Sequence, residues 1–325
     1  MIRFLLRRTV HAAILVFITL TATFFIIRLA PGDPLGRYYS PDIDPAAMET
    51  VRRQLGLDRP LPVQYAKTLQ SFIRGDFGIS IHQRRPVAQI LKETIPRTLQ
   101  LTGIALLLQI VLGMGLGMLS AMRRDSSLDR SASVVFLVFY SLPSFYLAFL
   151  LVAVFALKLQ WLPAAGMFSV HTQTGQMFAD RLRHMILPVT VLAVGSAAAL
   201  ARYARGSLLD QLHEEYIRTA RAKGLSEGRI LWRHALKNAA PQLFTVIGLS
   251  IPFLLAGAVV IEKIFGWPGM GALMVDAIFT RDYPVVLAAN FVAAVMVILG
   301  NLLADISYLW VDPRMRMSRG EPRAG

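Results

Sequence analysis

Six histidines are the side chains best suited to metal or proton chemistry here: His11, His82, His171, His184, His213 and His234. No two stand at a metal-ligand spacing, so a bound metal is not expected. No serine sits in a Gly-x-Ser-x-Gly elbow. No Gly-x4-Gly-Lys-Ser/Thr run offers to cradle nucleotide phosphates. Gly113-Met114-Gly115-Leu116-Gly117 is rich enough in glycine to suggest such a loop. No strand precedes it, however, and apolar sequence surrounds it, so small residues that let helices pack closely are the better reading. Cysteine is absent, which excludes disulfides, thiolate metal sites and cysteine nucleophiles. Asp305 can serve either as a transport carboxylate or as half of an interhelical pair.

The elements that must position these residues are membrane helices. The chain has 325 residues, of which 55% are hydrophobic, against roughly 45–50% in soluble domains. Its mean hydropathy is +0.52. The excess lies in runs of about 20 residues, the length of a spanning helix. Six are read: Thr9–Ile27, Thr98–Met122, Ala132–Leu157, Met185–Tyr203, Leu243–Phe265 and Val285–Trp310. The first follows Arg3, Arg7 and Arg8. It is too long for a signal-peptide core, and Arg28-Leu29-Ala30-Pro31 is a poor cleavage site, so it stays as an anchor. Pro143, Pro188 and Pro252 are expected to kink their spans. The reading is an all-α integral membrane protein.

Charge gives the orientation. The net charge is +14, with 34 Lys and Arg against 20 Asp and Glu. Arginines cluster at the N-terminus, at Arg123, Arg124 and Arg130, between Arg202 and Lys237, and in the tail from Arg314 to Arg323. All four segments fall on one side of a six-span chain, which should be the cytoplasm with both termini. A nucleic-acid partner is not expected, because no basic soluble domain is present. Membrane lipid is.

The exception is Arg28 to Arg97, with eleven basic residues on the outer side. Long translocated segments obey the charge rule weakly. Three short helices are expected there. One follows Asp44-Pro45 with Met48, Val51 and Leu55, ended by Gly56. A second follows Pro62 with Tyr65, Leu69 and Phe72, ended by Gly75. A third follows Pro86 with Val87, Ile90 and Leu91.

One polar stretch interrupts the second half of the chain: Glu214 to Gln242, EEYIRTARAKGLSEGRILWRHALKNAAPQ. Leu208, Leu209, Leu212, Tyr216 and Ala220 share one helical face. Gly224 should stop that helix, with Lys223 in its last turn. Ser226 can cap a second helix that buries Ile230, Leu231 and Ala235. The result is a helical elbow, suited either to a groove on a partner or to an anionic lipid surface.

The stretch resembles the EAA loop of ABC importer permeases, of general form E-A-A-x3-G-x9-I-x-L-P. Gly224 matches, as do Ala220 and Leu236, while Arg218-Thr219 and His234-Ala235-Lys237 depart from it. From Tyr216 to Ala239 it is closer to the peptide branch, Y-x-R-T-A-R-A-K-G-L-x8-H-A-L-x-N-A. Other stretches are similar to that branch: Ala30 to Pro34, Leu55 to Pro60, Gly75 to Ser80, Arg85 to Val87, Leu142 to Phe145, Trp161 to Pro163, Glu262 to Gly271, Arg281 to Pro284 and Asp312 to Arg314. The chain is identified as resembling the B-type permease subunit of dipeptide/oligopeptide ABC importers.

The resemblance implies a type I ABC importer permease fold of six transmembrane helices, with a small helical periplasmic insertion. The divisions are residues 1–29 as N-terminus and first span, 30–94 as the insertion, 95–311 as the transmembrane core with a coupling loop at 204–242, and 312–325 as the tail. It implies a homologous C-type permease, two ABC ATPases and a periplasmic substrate-binding protein as partners. The membrane would be the bacterial inner membrane. ATP and Mg would lie on the ATPases and no cofactor on this chain, which would not be an enzyme. Ala222, Lys223, Gly224, Leu225 and Ser226 would form the elbow seated on an ATPase, with Tyr216, Arg218, Ala220, Arg221 and His234 around it. Glu262, Trp267, Pro268, Gly269 and Asp276 would make a periplasmic gate or a binding-protein contact. Alternatively, they form a turn packed on span ends. Carriers of glutathione, nickel chelates and opines resemble the same branch. A self-sufficient secondary carrier needs mid-membrane charges, which the spans lack. A membrane hydrolase needs a polar constellation at one membrane face, and none is seen.

Overall fold

The computed structural model describes residues 2–29, 58–169 and 174–311. The expected helix from Asp44 to Gly56 and the tail from Asp312 lie outside them. All regular elements among the described residues are helical, and Ile79 and Pro86 form an isolated antiparallel bridge. The helices are α1 (Ile2–Leu29), α2 (Leu61–Ile73), α3 (Val87–Met122), α4 (Ser127–Ser141), α5 (Ser144–Leu151), α6 (Met177–Leu212), α7 (Glu215–Ala222), α8 (Glu227–Ile230), α9 (Leu236–Ile264), α10 (Met270–Thr280) and α11 (Tyr283–Val311). Wide π-helical turns extend α5 over Val152–Lys158 and join α8 to α9 over Leu231–Ala235.

Among the described residues, five helices are long and apolar enough to cross a membrane, or up to six when a bent pair counts as one span. That pair corrects the expected third span, Ala132–Leu157. It is not one helix: α4 and α5 meet at 103°. Pro143 has no N–H to continue the α4 ladder, and it forces Leu142 into an extended conformation with ψ 126°. Pro188 and Pro252, by contrast, lie inside uninterrupted helices. The third short helix expected after Pro86 is not separate either. It runs on through Pro96 into the second span as the 36-residue α3.

The chain forms two compact units: Met1–Arg97 with Pro268–Met296, and Thr98–Trp267 with Val297–Gly325. In the first, α2 lies where Pro62 and Gly75 placed it. Its Tyr65, Leu69 and Phe72 pack with Leu20 and Phe24 of α1 and Leu287 of α11. The Tyr65 hydroxyl hydrogen-bonds Thr21 at 2.6 Å. Asp282 ties two sequence motifs together. It is 2% exposed and accepts from the Ser80 hydroxyl at 2.5 Å and from the Ile81 and His82 N–H groups at 3.2 and 3.1 Å. The Gly75-to-Ser80 and Arg281-to-Pro284 stretches are thus one clamp around a buried carboxylate.

In the second unit α6 is the central helix, with 67% of its most apolar stretch buried. The Gly113-to-Gly117 run packs against it. A Cβ on Gly117 would stand 2.7 Å from the Ala201 carbonyl oxygen and from Ala204 Cβ, and one on Gly113 2.8 Å from Leu200 Cβ. These glycines let two helices approach at backbone distance. Gly117→Val is therefore expected to cost about 3 kcal/mol, the top of the overpacking range, because a backbone oxygen cannot yield as a side chain can. A melting curve of the purified variant checks it; an unchanged midpoint would contradict the packing. Faces pointing away from neighbours stay apolar, with Val134, Leu137 and Val138 of α4 each more than half exposed. That suits lipid rather than water.

Candidate functional site

The polar stretch folds into an elbow, but not from the single helix expected. α6 ends at Leu212, and Glu214 is extended (ψ 148°) before α7 begins. His213 closes the first end through Nδ1, bonded to the Leu209 carbonyl at 2.6 Å. Glu215 opens α7 with negative charge at its N-terminus. The apolar face survives this break: Leu208, Leu209, Leu212, Tyr216 and Ala220 all join one core cluster with Ile217, Ile230, Leu231 and Ala235.

Gly224 has φ +77°. Its N–H bonds the Arg221 carbonyl at 2.9 Å, and the Leu225 N–H reaches back to Ala220 at 3.3 Å. This is a Schellman turn, and its left-handed residue is the glycine. Arg221 then clasps Glu227 across the turn, Nε to Oε1 at 2.7 Å and Nη2 to Oε2 at 3.2 Å. Those hydrogen bonds raise the Arg221 pKa above its ordinary value. Ser226 occupies the N-cap position of α8, but its hydroxyl makes no capping bond. This corrects the expected role: the side-chain contact across the turn is the Arg221–Glu227 pair, not a serine cap.

Of the sequence-predicted residues, Arg218, Arg221, Ala222, Lys223, Gly224 and Ser226 are exposed. Tyr216, Leu225 and His234 are half-buried and Ala220 is buried. Arg218 pairs with Glu215 at 2.7 Å, and Tyr216 donates to Gln211 at 2.8 Å. Trp232, 63% exposed, was missed. An exposed tryptophan beside a cationic elbow is a recognisable contact signal. The elbow is also the start of a long rod, because the helical run continues from Glu227 through the π turn and α9 to Ile264.

The second group of predicted residues divides. Glu262 and Trp267 are 0% exposed and Gly269 is also buried, whereas Pro268 and Asp276 are exposed. Glu262 accepts from Thr98 at 2.6 Å. Trp267 lies in the second unit's core, with Arg181 6.0 Å from its ring centroid. Sequence reasoning also missed Asp129. It is 2% exposed and takes both Nε and Nη2 of Arg205 at 2.7 Å, the Ser120 hydroxyl, and the Asp125 N–H at 3.1 Å. Two Asp residues, Asp125 and Asp129, in a short basic loop were the available signal.

Long apolar helices, a broken span and a polar elbow at the head of a long helical rod define a multi-pass membrane protein. Residues 113–317 match the family described as "Binding-protein-dependent transport system inner membrane component", and residues 1–102 match "Binding-prot-dependent transport system membrane comp, N-term". The chain is 40% identical over 317 residues to the oligopeptide transport system permease protein AppB of Bacillus subtilis, covering 97% of this chain and 99% of that one. It is 37% identical over 316 residues to the glutathione transport system permease protein GsiC of Escherichia coli K12, with 97% and 99% covered. A solved inward-facing structure of the MetNI methionine ABC transporter shares the fold, with TM-score 0.57, 19% identity, and 69% of this chain and 97% of that one covered. The chain belongs to the binding-protein-dependent transport system inner membrane components. It is an ABC transporter permease with the type I importer fold.

Proposed function

We infer that this chain is the B-type permease of a peptide importer, and that its elbow is where ATP hydrolysis on partner subunits enters the membrane. The observation that carries this is the elbow's construction. Its tip, Ala222 to Ser226, is held by the Schellman turn and the Arg221–Glu227 pair and is continuous with the rod that ends at Ile264. A push on such a tip moves a span rather than a loop. Two ABC ATPases would receive it in the cytoplasm, with Lys223, Arg218 and Trp232 around the contact, and ATP with Mg would be theirs. A C-type permease would complete the pathway, and a periplasmic binding protein would deliver the cargo. The sequence relatives support peptides, and the glutathione relative fits the same reading, because glutathione is itself a small peptide.

The membrane would be the inner membrane, with both termini cytoplasmic. Residues 1–29, 30–94, 95–311 and 312–325 would then be anchor, periplasmic insertion, transport core carrying the 204–242 coupling loop, and tail. Pro268 and Asp276 are the accessible members of the gate or binding-protein contact. Glu262, Trp267 and Gly269 are buried and would not make that contact themselves.

The test is co-purification with the neighbouring gene products, followed by ATPase and uptake assays with oligopeptides and glutathione. Gly224→Val sharpens it. Nothing lies within 4 Å of a Cβ there, so the cost is purely the left-handed backbone, about 1–2 kcal/mol. The complex should assemble and keep basal ATP hydrolysis, while peptide-coupled uptake falls roughly 5–30-fold, the factor that energy represents. Assembly and coupled uptake both unchanged would refute the elbow's role.

A further inference from the structure

Three helices of the first unit line an open groove of about 440 Å³. Its walls are apolar: Ile26 from α1, Met274 and Ile278 from α10, and Val286 from α11. Ile26 is 68% exposed and Ile278 50%, so the groove opens to the outside of the chain. At its deep end the Asn290 amide donates to the Thr23 hydroxyl and ties α11 to α1. At its other end stand Arg281 and Tyr283. The α1 span runs from Arg8 to Leu29. Arg28 is therefore at the membrane interface, and Thr23 lies roughly 7–8 Å deeper.

The mouth is cationic. The Arg28 guanidinium lies 5.6 Å from the centroid of the Phe24 ring and 6.0 Å from that of Tyr283. Arg281 stands two residues before Tyr283. Both arginines are half-buried. Neither pairs with a carboxylate among the described residues. Asp282, between Arg281 and Tyr283, is already occupied by the Ser80 hydroxyl and the Ile81 and His82 N–H groups. Asp276 falls on the opposite face of α10 from Met274 and Ile278.

Partly desolvated guanidinium groups without a carboxylate call for an anion, and their planar forks match phosphate oxygens. The walls below them call for hydrocarbon. One molecule meets both demands at a membrane interface: a phosphate that carries acyl chains. A phosphate alone would leave the walls uncovered, and a chain without negative charge would leave the arginines unmatched.

We propose that this groove is a binding site for one anionic phospholipid. Its phosphate sits between Arg28 and Arg281, and the upper part of an acyl chain lies along Ile26 and Ile278 toward Thr23. The bound lipid bridges α1 to the turn between α10 and α11. The inference does not depend on which solute is carried.

The test uses the assembled complex in detergent. This chain has no cysteine, so Ile278→Cys places a single thiol on it, in the groove wall. Its alkylation by a maleimide is followed by the intact mass of the chain. Dioleoylphosphatidylglycerol should slow the reaction several-fold. Dioleoylphosphatidylcholine at the same concentration should do much less, and glycerol phosphate nothing. Adding Arg281→Gln should raise the phosphatidylglycerol concentration for half-protection about fivefold, the effect of one basic residue near anionic lipid. Arg281→Lys should restore most of it. Arg281 has φ +56°, and glutamine and lysine meet the same left-handed backbone cost as arginine. Should the Ile278→Cys complex fail to assemble, Ile26→Cys reports from the facing wall.

Equal protection by the two phospholipids, or protection indifferent to Arg281→Gln, would reduce the groove to an ordinary lipid-facing surface and overturn the proposal. Protection by glycerol phosphate would make it a site for free phosphate and overturn the lipid. A thiol that reacts slowly without added lipid and ignores all three additives would show another subunit covering the groove, which also overturns it.

Discussion

Trp267→Ala is expected to destabilise the second unit by about 3–5 kcal/mol, the range for emptying a tryptophan site in a packed core. Trp267 is the largest fully buried side chain among the described residues. It shares one core cluster with Leu101 of α3, Met185 of α6, Ile261 of α9 and Phe265 just beyond α9. Its backbone N–H, which truncation leaves in place, bonds the Glu262 carbonyl at 2.8 Å, and the Arg181 guanidinium stands 6.0 Å from its ring centroid. Truncation removes the ring's contacts and leaves a cavity that rigid helices cannot close. Thermal unfolding of the purified complex should show a midpoint lowered by roughly 10 °C, with Trp267→Phe falling between the two. A shift of only one or two degrees would mean that the loop repacks.

Arg205→Leu is expected to cost about 3 kcal/mol, the low end of the range for stripping a buried ion of its partner. The low end applies because the Arg205 side chain is 28% exposed whereas that of Asp129 is 3% exposed. The loss is not the attraction alone. Asp129 would keep the Ser120 hydroxyl and the Asp125 N–H, but its charge would be left uncompensated. The double change Arg205→Leu with Asp129→Leu should therefore be more stable than Arg205→Leu by itself. A double variant no better than the single one would show that the pair holds no net charge debt. Because Asp129 begins α4 and Arg205 lies two turns before the end of α6, the loss should also loosen the base of the elbow.

Much of this molecule was legible locally. Hydropathy runs located the spans, because a helix in lipid must be apolar along its whole length. Pro62 and Gly75 bracketed α2, and Gly224 stopped α7, because both residue types act through their own backbone torsions. The elbow's buried residues followed from helical spacing. Sequence also carried the family, through motifs spread from Ala30 to Arg314.

Other features are relations between distant residues, and only the tertiary structure decided them. Pro143 announced a kink, but its size, 103°, depends on what α4 and α5 pack against. The break at His213 went unseen because the apolar face continues across it. Asp129 with Arg205, Asp282 with Ser80, and Gln109 with Ser250 lie 76, 202 and 141 residues apart. Spacing and hydropathy report what each residue prefers for itself; which buried polar group meets which partner, and which is left without one, is settled only when helices far apart in the chain are brought to packing distance.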